Sequence, residues 1–314
     1  MATHPLSRRR VAERMRSSRG REAFAAYLFV SPWVIGFLLF VLGPMIASFA
    51  ASFSDYAVLH PEQTRWVGWA NYQRAFFEDP TFRESLKVTV SYSVLAVLAD
   101  LVLGFLLALL LNVSFRGVTF FRTLYYLPAV ISGVVVSVMF LWIFNPRFGL
   151  ANYVLGLVGL PGLPWVYSPR WVLPSLVIMS LWGVGRSTLI YLASLQSIPT
   201  HLSEAAAIDG AGALQRLFRI TIPLVSPAIF FNLVLGLIDR LQTFTEAFVV
   251  TQGGPDNASL FYVLYLYRNA FTYFKMGYAA ALAWILFLIT LTLTLLIFRS
   301  ATRWVYYQDE GRGG

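Results

Sequence analysis

The hydrophobic positions of this chain gather into six long apolar stretches, separated by polar connections that are marked by Gly and Pro. A helix needs roughly 20 apolar residues to cross the core of a bilayer, and each stretch is near or above that length. The pattern therefore predicts an all-α integral membrane protein with six transmembrane helices. The predicted spans are 25–53, 86–112, 123–144, 171–194, 224–250 and 278–300.

Positive charge predicts the orientation of these spans. The first stretch follows seven arginines, and it exceeds the roughly 7–15 apolar residues of a secretory signal, which favours an uncleaved anchor. Lys and Arg number 14 on the side of the two termini and 7 on the other side, so both termini are expected to be cytoplasmic. We predict a basic tail at 1–24, one six-helix domain at 25–303 and a second cytoplasmic tail at 304–314.

Composition narrows the class of protein. The 314 residues are 58% hydrophobic and 12% charged, whereas soluble proteins have about a quarter of their residues charged. Cysteine is absent, which excludes disulfides, thiol nucleophiles and Cys-ligated metals. The three histidines lie far apart in the sequence, and we expect no metal site. The net charge of +9 is distributed as expected for a membrane protein, so no nucleic-acid partner is predicted.

The connection between the fourth and fifth stretches, 195–223, has the most specific pattern. Pro199 is suited to a helix start, and the Ala-rich run that follows is a strong helix former. Gly210 is suited to end that helix in a left-handed conformation. A second short helix is predicted to follow and to end near Pro223. Two short helices joined at a glycine form a compact knob that fits a groove in another protein.

This loop resembles the EAA motif of binding-protein-dependent importer permeases, in which Glu-Ala-Ala, Gly, Ile, Leu and Pro follow one another at fixed spacings. The matching positions are Glu204, Ala205, Ala206, Gly210, Ile220 and Pro223, with Ile222 in place of Leu. The resemblance implies a type I ABC importer permease fold and a coupling helix that seats in a cleft of an ATPase subunit. It implies that the ATPase-coupling residues are Glu204, Ala205, Ala206, Asp209 and Gly210.

Other segments extend the resemblance over nearly the whole chain after the basic tail. They are Phe121–Thr123, Leu127–Pro128, Thr251–Pro255, Tyr267–Phe271 and Gly277–Ala280. These segments are similar to the sugar-type branch, and within it to the MalF/UgpA-like half. The resemblance implies a bacterial inner-membrane assembly. Its other parts are a second, MalG/UgpE-like permease (a heterodimer), two ATPase subunits and an extracytoplasmic solute-binding protein that delivers a carbohydrate.

ATP hydrolysis is not expected on this chain. A P-loop requires Gly-x-x-x-x-Gly-Lys followed by Ser or Thr, because backbone amides and the lysine hold the phosphates. The two lysines, Lys87 and Lys275, follow Leu86 and Phe274 and complete no such motif. We therefore predict a transport subunit that is not an enzyme and binds no cofactor, with ATP and magnesium on the partner ATPase.

Polar residues inside the spans predict a solute pathway, because charges in a membrane are costly and usually functional. Five residues of the fifth span share one helical face at 4-3-4-3 spacing. Aromatic rings in the fourth span suit stacking on a sugar. Pathway candidates are Arg186, Trp182, Tyr191, Asn232, Asp239, Thr243 and Glu246, with Gly236 completing the face. Two alternatives stay open for Arg186: it pairs with Asp239 or Glu246, or it binds an anionic solute.

The turn after the fifth span is a candidate contact for the binding protein. Its residues Gly253, Gly254 and Pro255 are expected at the outer end, where they either face that protein or simply redirect the chain.

Three competing functions remain. The first is a permease of the same kind for glycerol phosphate, a polyol or a peptide. The second is an ion-coupled secondary carrier, which often has internally repeated halves, and no such repeat is evident here. The third is a membrane enzyme, for which clustered carboxylates or histidines would be expected.

Overall fold

The protein is helical over nearly all of the residues that the computed structural model describes, which are 24–58, 60–113 and 116–306. The main helices are α1 Phe24–Ser52, α2 Pro80–Leu111, α3 Val118–Val130, α4 Gly133–Ile143, α5 Val172–Gly183, α6 Gly185–Gln196, α7 Thr200–Ile208, α8 Ala213–Leu241 and α9 Met276–Trp304. Shorter helices are Ala70–Gln73, Leu150–Leu157 and Tyr262–Tyr267. The predicted tails lie almost wholly outside the described residues.

Six spans arise only when broken helices are counted. Helices α1, α2, α8 and α9 are each long and apolar enough to cross a membrane. The α3–α4 pair is bent by 99° and the α5–α6 pair by 50°, and each pair has the composition of one span. Counted this way, the described residues contain the six predicted spans, although two of these are interrupted.

Local chemistry explains both interruptions. At the α3–α4 bend, Pro128 lacks an amide hydrogen for the helix ladder, and Ile131 adopts an extended conformation with ψ near 138°. Between α5 and α6 the chain tightens into a 3₁₀ turn at Leu181–Gly183. Such turns within a helix often mark hinges or functional positions.

The fifth span differs from its prediction at both ends. The short helix expected to end near Pro223 instead continues into the membrane, because a π-turn at Leu217–Thr221 precedes the proline and Pro223 occupies the first turn of the next α-helical segment. At the other end, α8 stops at Leu241, and Gln242–Phe244 leave the helix. The predicted polar stripe is therefore not continuous: it is interrupted at Thr243, whereas Glu246 lies again at the cavity that Asp239 lines.

Helix α2 packs closely against α6 and α8. A Cβ atom placed on Gly104 of α2 would lie 2.6 Å from Ser187 Oγ of α6, and one on Gly236 of α8 would lie 3.7 Å from Val97. Small residues of this kind allow membrane helices to approach closely, since lipid provides no hydrophobic drive for helix association. This packing fixes α2, α6 and α8 around the central cavity described below.

The first prediction concerns Gly185, at the bend between α5 and α6. A Cβ atom there would lie 2.1 Å from the backbone oxygen of Tyr125. Backbone cannot move aside cheaply, so we expect Gly185→Ala to destabilise the protein by roughly 1–3 kcal/mol, the usual cost of overpacking. The measurement is the melting temperature of the detergent-solubilised protein, monitored by size-exclusion chromatography after heating.

Gly183→Ala is the matched control, because a Cβ atom on Gly183 meets nothing within 4 Å. Equal melting temperatures for the two variants would contradict the close packing of Gly185 on Tyr125.

Candidate functional site: a central polar cavity between broken helices

A cavity of about 360 Å³ lies where the interrupted helices meet. The α3–α4 bend and the α5–α6 bend both border it, as do α2 and α8. Discontinuous membrane helices typically border solute sites, because their free backbone groups need water or a ligand. The polar and aromatic residues that line it are Asp100, Ser180, Trp182, Arg186, Ser187, Asn232, Asp239, Arg240 and Glu246.

Five charged residues face this cavity, and only two of them pair directly. Arg240 Nη1 lies 3.9 Å from Asp239 Oδ2, and its Nη2 donates a hydrogen bond to the Ser180 carbonyl at 3.3 Å. Among the described residues, Arg186 forms no ion pair within 4 Å, so the alternative in which it pairs with Asp239 or Glu246 is not realised. The exposed Arg186 side chain is therefore available to a solute.

Five of the seven predicted pathway residues come together here, while two do not. Trp182 is 40% exposed at the cavity and packs edge-on against Phe140 at 5.8 Å. Tyr191 is fully buried and packs against Phe105 at 5.6 Å, so its ring is not accessible for stacking on a sugar. Thr243 is also buried and lies outside the lining, because the break after Leu241 turns it away from the expected face.

Two charged lining residues were missing from the predicted pathway. Asp100 contributes from α2 and Arg240 from α8. Both were recognisable as charges inside a span, which is the signal that identified Arg186. Their position at the cavity follows from helix packing, which the sequence does not specify.

The loop with the EAA-like spacing forms a well-defined knob. Helix α7 ends at Ile208, and Gly210 two residues later has a φ of +82°, which is left-handed as predicted. The Ala211 amide donates to the Ala206 carbonyl at 2.8 Å, and the Gly210 amide donates to the Ala207 carbonyl at 3.1 Å. This pair of bonds is a Schellman motif, which satisfies the last carbonyls of the helix.

The knob presents apolar side chains to its surroundings. Ile208 is 87% exposed, and Leu214 and Phe218 are also largely exposed. Of the residues proposed for ATPase coupling, Glu204, Ala205, Asp209 and Gly210 are exposed and Ala206 is half-buried. An exposed apolar cluster rimmed by charge is typical of a protein–protein contact.

The turn that contains Gly253, Gly254 and Pro255 lies at the opposite end of the bundle and is tied down internally. Ser259 Oγ donates to the Gly254 carbonyl at 2.6 Å and also contacts Thr251 Oγ1. Arg268 Nη2 donates to the Gln252 carbonyl at 2.5 Å. Gly253 itself is buried, while Gly254 and Pro255 are half-buried. The turn therefore has a fixed shape.

A cluster of hydrogen bonds around Asp79, at the same end of the bundle, holds the start of α2. Asp79 caps this helix by accepting from the Phe82 amide at 3.1 Å, and its other oxygen accepts from the hydroxyls of Tyr265 and Tyr278. Burial raises the pKa of Asp79, but these hydrogen bonds outweigh burial and hold the pKa below its usual range. For Tyr265, burial and the contact with Asp79 raise the pKa to about 12.

Comparison with known proteins decides which family has this architecture. Residues 100–305 match the family described as "Binding-protein-dependent transport system inner membrane component". The chain belongs to this family of importer permeases. It is therefore a transport component and a multi-pass protein of the inner membrane.

Individual relatives cover the permease almost from end to end. It is 40% identical over 305 residues to the probable ABC transporter permease protein YesP of Bacillus subtilis (strain 168). The alignment covers 95% of this chain and 98% of YesP. It is 32% identical over 275 residues to the sulfoquinovosyl glycerol transport system permease protein SmoG of Agrobacterium fabrum (strain C58 / ATCC 33970). This alignment covers 87% of this chain and 89% of SmoG.

A solved structure confirms the fold. The permease superposes on a chain of a bacterial alginate ABC transporter, crystallised with an alginate pentasaccharide-bound periplasmic protein, with a TM-score of 0.78 and 26% identity. The match covers 90% of this chain and 96% of the other. The predicted six-helix importer fold and the family resemblance are thereby confirmed.

The second prediction concerns acid stability at Asp79. Its pKa is lower in the folded protein than the value of about 3.9 in an unfolded chain. Its contribution to stability is thus present above about pH 4 and is lost as the pH falls through the folded pKa. We expect Asp79→Asn to lower the melting temperature at pH 7 and to flatten its decline below pH 4.

Melting curves between pH 3 and 7 measure this effect. Asp256→Asn is the control, because Asp256 is an exposed aspartate for which the structure shows no side-chain hydrogen bond. If the melting temperature of Asp79→Asn depends on pH as that of the wild type does, the hydrogen bonds around Asp79 do not determine acid stability.

Proposed function

We propose that this permease forms half of the translocation pathway of an ATP-driven importer for a carbohydrate. Both termini are cytoplasmic in this proposal, which places the α7 knob inside and the 251–275 segment outside. An extracytoplasmic solute-binding protein delivers the solute, and a second, related permease chain completes the pathway. ATP is hydrolysed with magnesium on two separate ATPase subunits, and no cofactor is needed on this chain.

The central cavity is the observation that carries the proposal. It places carboxylates, guanidinium groups and an amide around one space, with the Trp182 ring at its edge. Sugar hydroxyls donate to carboxylates and accept from arginine, while the apolar face of a sugar ring packs on an aromatic side chain. The volume of about 360 Å³ lies within the range of roughly 300–1,000 Å³ that small-molecule sites occupy.

The relatives support the solute class. The solved transporter carries alginate, and SmoG carries sulfoquinovosyl glycerol, so both solutes contain sugar units. Arg186 is a specific reason to include acidic saccharides among the candidates, because it is a cavity cation without an ion-pair partner among the described residues. Arginine binds carboxylates and sulfonates through paired N–H groups.

The third prediction tests the function directly. We reconstitute the importer in vesicles from the permease, its partner permease, the ATPase and the binding protein. The vesicles are then offered neutral and acidic oligosaccharides, glycerol phosphate and a peptide. We expect uptake of a saccharide that requires ATP. Trp182→Ala should reduce that uptake about two- to twelvefold, which corresponds to a lost aromatic contact of roughly 0.5–1.5 kcal/mol.

Trp142→Ala is the matched control, because Trp142 is 69% exposed and does not line the cavity. Uptake that is driven by an ion gradient without ATP would instead identify a secondary carrier. Selective uptake of glycerol phosphate or the peptide would replace the carbohydrate assignment.

The fourth prediction tests coupling to the ATPase. Gly210 has a φ of +82°, a conformation that costs a residue with a Cβ atom roughly 1–2 kcal/mol. We expect Gly210→Ala to distort the end of α7 and to reduce ATPase activity stimulated by the loaded binding protein. Stimulated and basal ATPase rates of the reconstituted importer are measured side by side.

Gly212→Ala makes the same chemical change two residues later, where φ is −67° and a Cβ atom meets nothing within 4 Å. This variant should keep the stimulation of the wild type. Loss of stimulation in both variants would assign the effect to the loop sequence rather than to the left-handed helix end.

A further inference from the structure

A second polar pocket, of about 440 Å³, lies at the end of the bundle opposite the α7 knob. It shares no lining residue with the central cavity. One wall is the segment 74–81 before and at the start of α2, and the other consists of residues 257–275. The charged residues that line it are Arg74, Glu78, Asp79, Arg268 and Lys275.

The three cations of this pocket have no carboxylate partners, and contacts hold the side chains of two of them, Arg74 and Arg268. Arg74 lies over the Tyr278 ring, 4.6 Å from its centroid. Arg268 donates to the Gln252 carbonyl. The backbone of Lys275 is fixed by its amide, which donates to the Asn269 carbonyl at 2.8 Å, while its side chain is exposed. Within the described part of the chain, none of the three has a carboxylate within 4 Å.

The two carboxylates of the pocket do not neutralise these cations. Asp79 is engaged by two tyrosine hydroxyls and the Phe82 amide. Glu78 is exposed at the rim. The pocket therefore presents positive charge that no carboxylate neutralises, together with unused donors, and this arrangement suits a carboxylate of another molecule.

We propose that this pocket is a docking site for an acidic side chain, Asp or Glu, on the surface of the solute-binding protein. The inference rests on the proposed function, which places this end of the bundle outside the cell. Arg268 connects the pocket to the turn at Gln252–Pro255, because it donates a hydrogen bond to the Gln252 carbonyl and also lines the pocket.

The separate linings of the two spaces support this occupant over a passing solute. A site on the solute route would be expected to open into the central cavity, whereas the two spaces have separate linings. Opposite charges at the rim of an interface steer encounter and fix the orientation of the partners. The similar alginate transporter was crystallised with its periplasmic protein, so an assembly of this kind is stable enough to isolate.

The fifth prediction is tested by binding of the cognate solute-binding protein to the complete importer in nanodiscs. Lys275 is the residue to change, because its side chain is exposed and makes no hydrogen bond or ion pair that the structure shows. We expect Lys275→Glu to weaken binding about tenfold or more at low salt, and Lys275→Arg to retain it. The affinity of Lys275→Glu should also depend less on salt than that of the wild type.

Arg170→Glu is the matched control. It makes the same change of charge at an exposed residue that is predicted to lie outside the cell and does not line the pocket. The proposal is supported if this variant binds within about twofold of the wild type. Equal weakening by both variants would show a general effect of charge and overturn the pocket assignment, as would unchanged binding by Lys275→Glu.

Two further results separate this inference from the proposed function. If a free acidic saccharide binds in the pocket of the wild type without the binding protein, and Lys275→Glu abolishes that binding, the pocket is a solute site and the docking proposal fails. If the wild-type importer neither binds the solute-binding protein nor takes up any solute with ATP, the proposed function itself fails.

Discussion

The structure depends on one constraint of the bilayer, which is that every backbone polar group must find a partner away from water. Continuous helices meet this requirement within one segment, whereas an interrupted helix exposes amides and carbonyls. This chain interrupts two of its spans, at 131–132 and at Val184, and it breaks again at 242–244, directly after α8. Residues beside all three interruptions line the same cavity. The cavity is therefore the place where irregular backbone is tolerated, and the proposed solute site follows from that tolerance.

Hydropathy predicted the spans because it averages over about 20 residues. For the same reason it missed the interruptions, which are only one to three residues long. The left-handed end of α7 was predictable because Gly210 is a local signal with a known conformation. The continuation of the helix through Pro223 was not predictable, since it depends on a π-turn before the proline that accommodates the ring.

The two misplaced pathway residues show why a list of polar and aromatic residues does not define a site. Arg186 and Tyr191 are five residues apart on one helix, which separates them by roughly 140° around its axis. Arg186 consequently faces the cavity while Tyr191 packs against Phe105. Thr243 would have continued the polar face of α8, but the helix ends at Leu241 and the face ends with it.

The stretch from α7 to Arg268 connects the three regions on which the proposed function depends. It begins at the exposed knob, continues as α8 from Ala213 to the Asp239–Arg240 pair in the cavity, and then breaks. Beyond the break it forms the turn that Arg268 holds at the far end. A rigid helix transmits displacement along its length, and a break allows the two sides to move separately. Movement of the knob would thus reach the cavity directly through α8, whereas the far pocket is reached only across the break. In the proposed function, binding at the far end and coupling at the knob therefore act on the cavity from opposite sides.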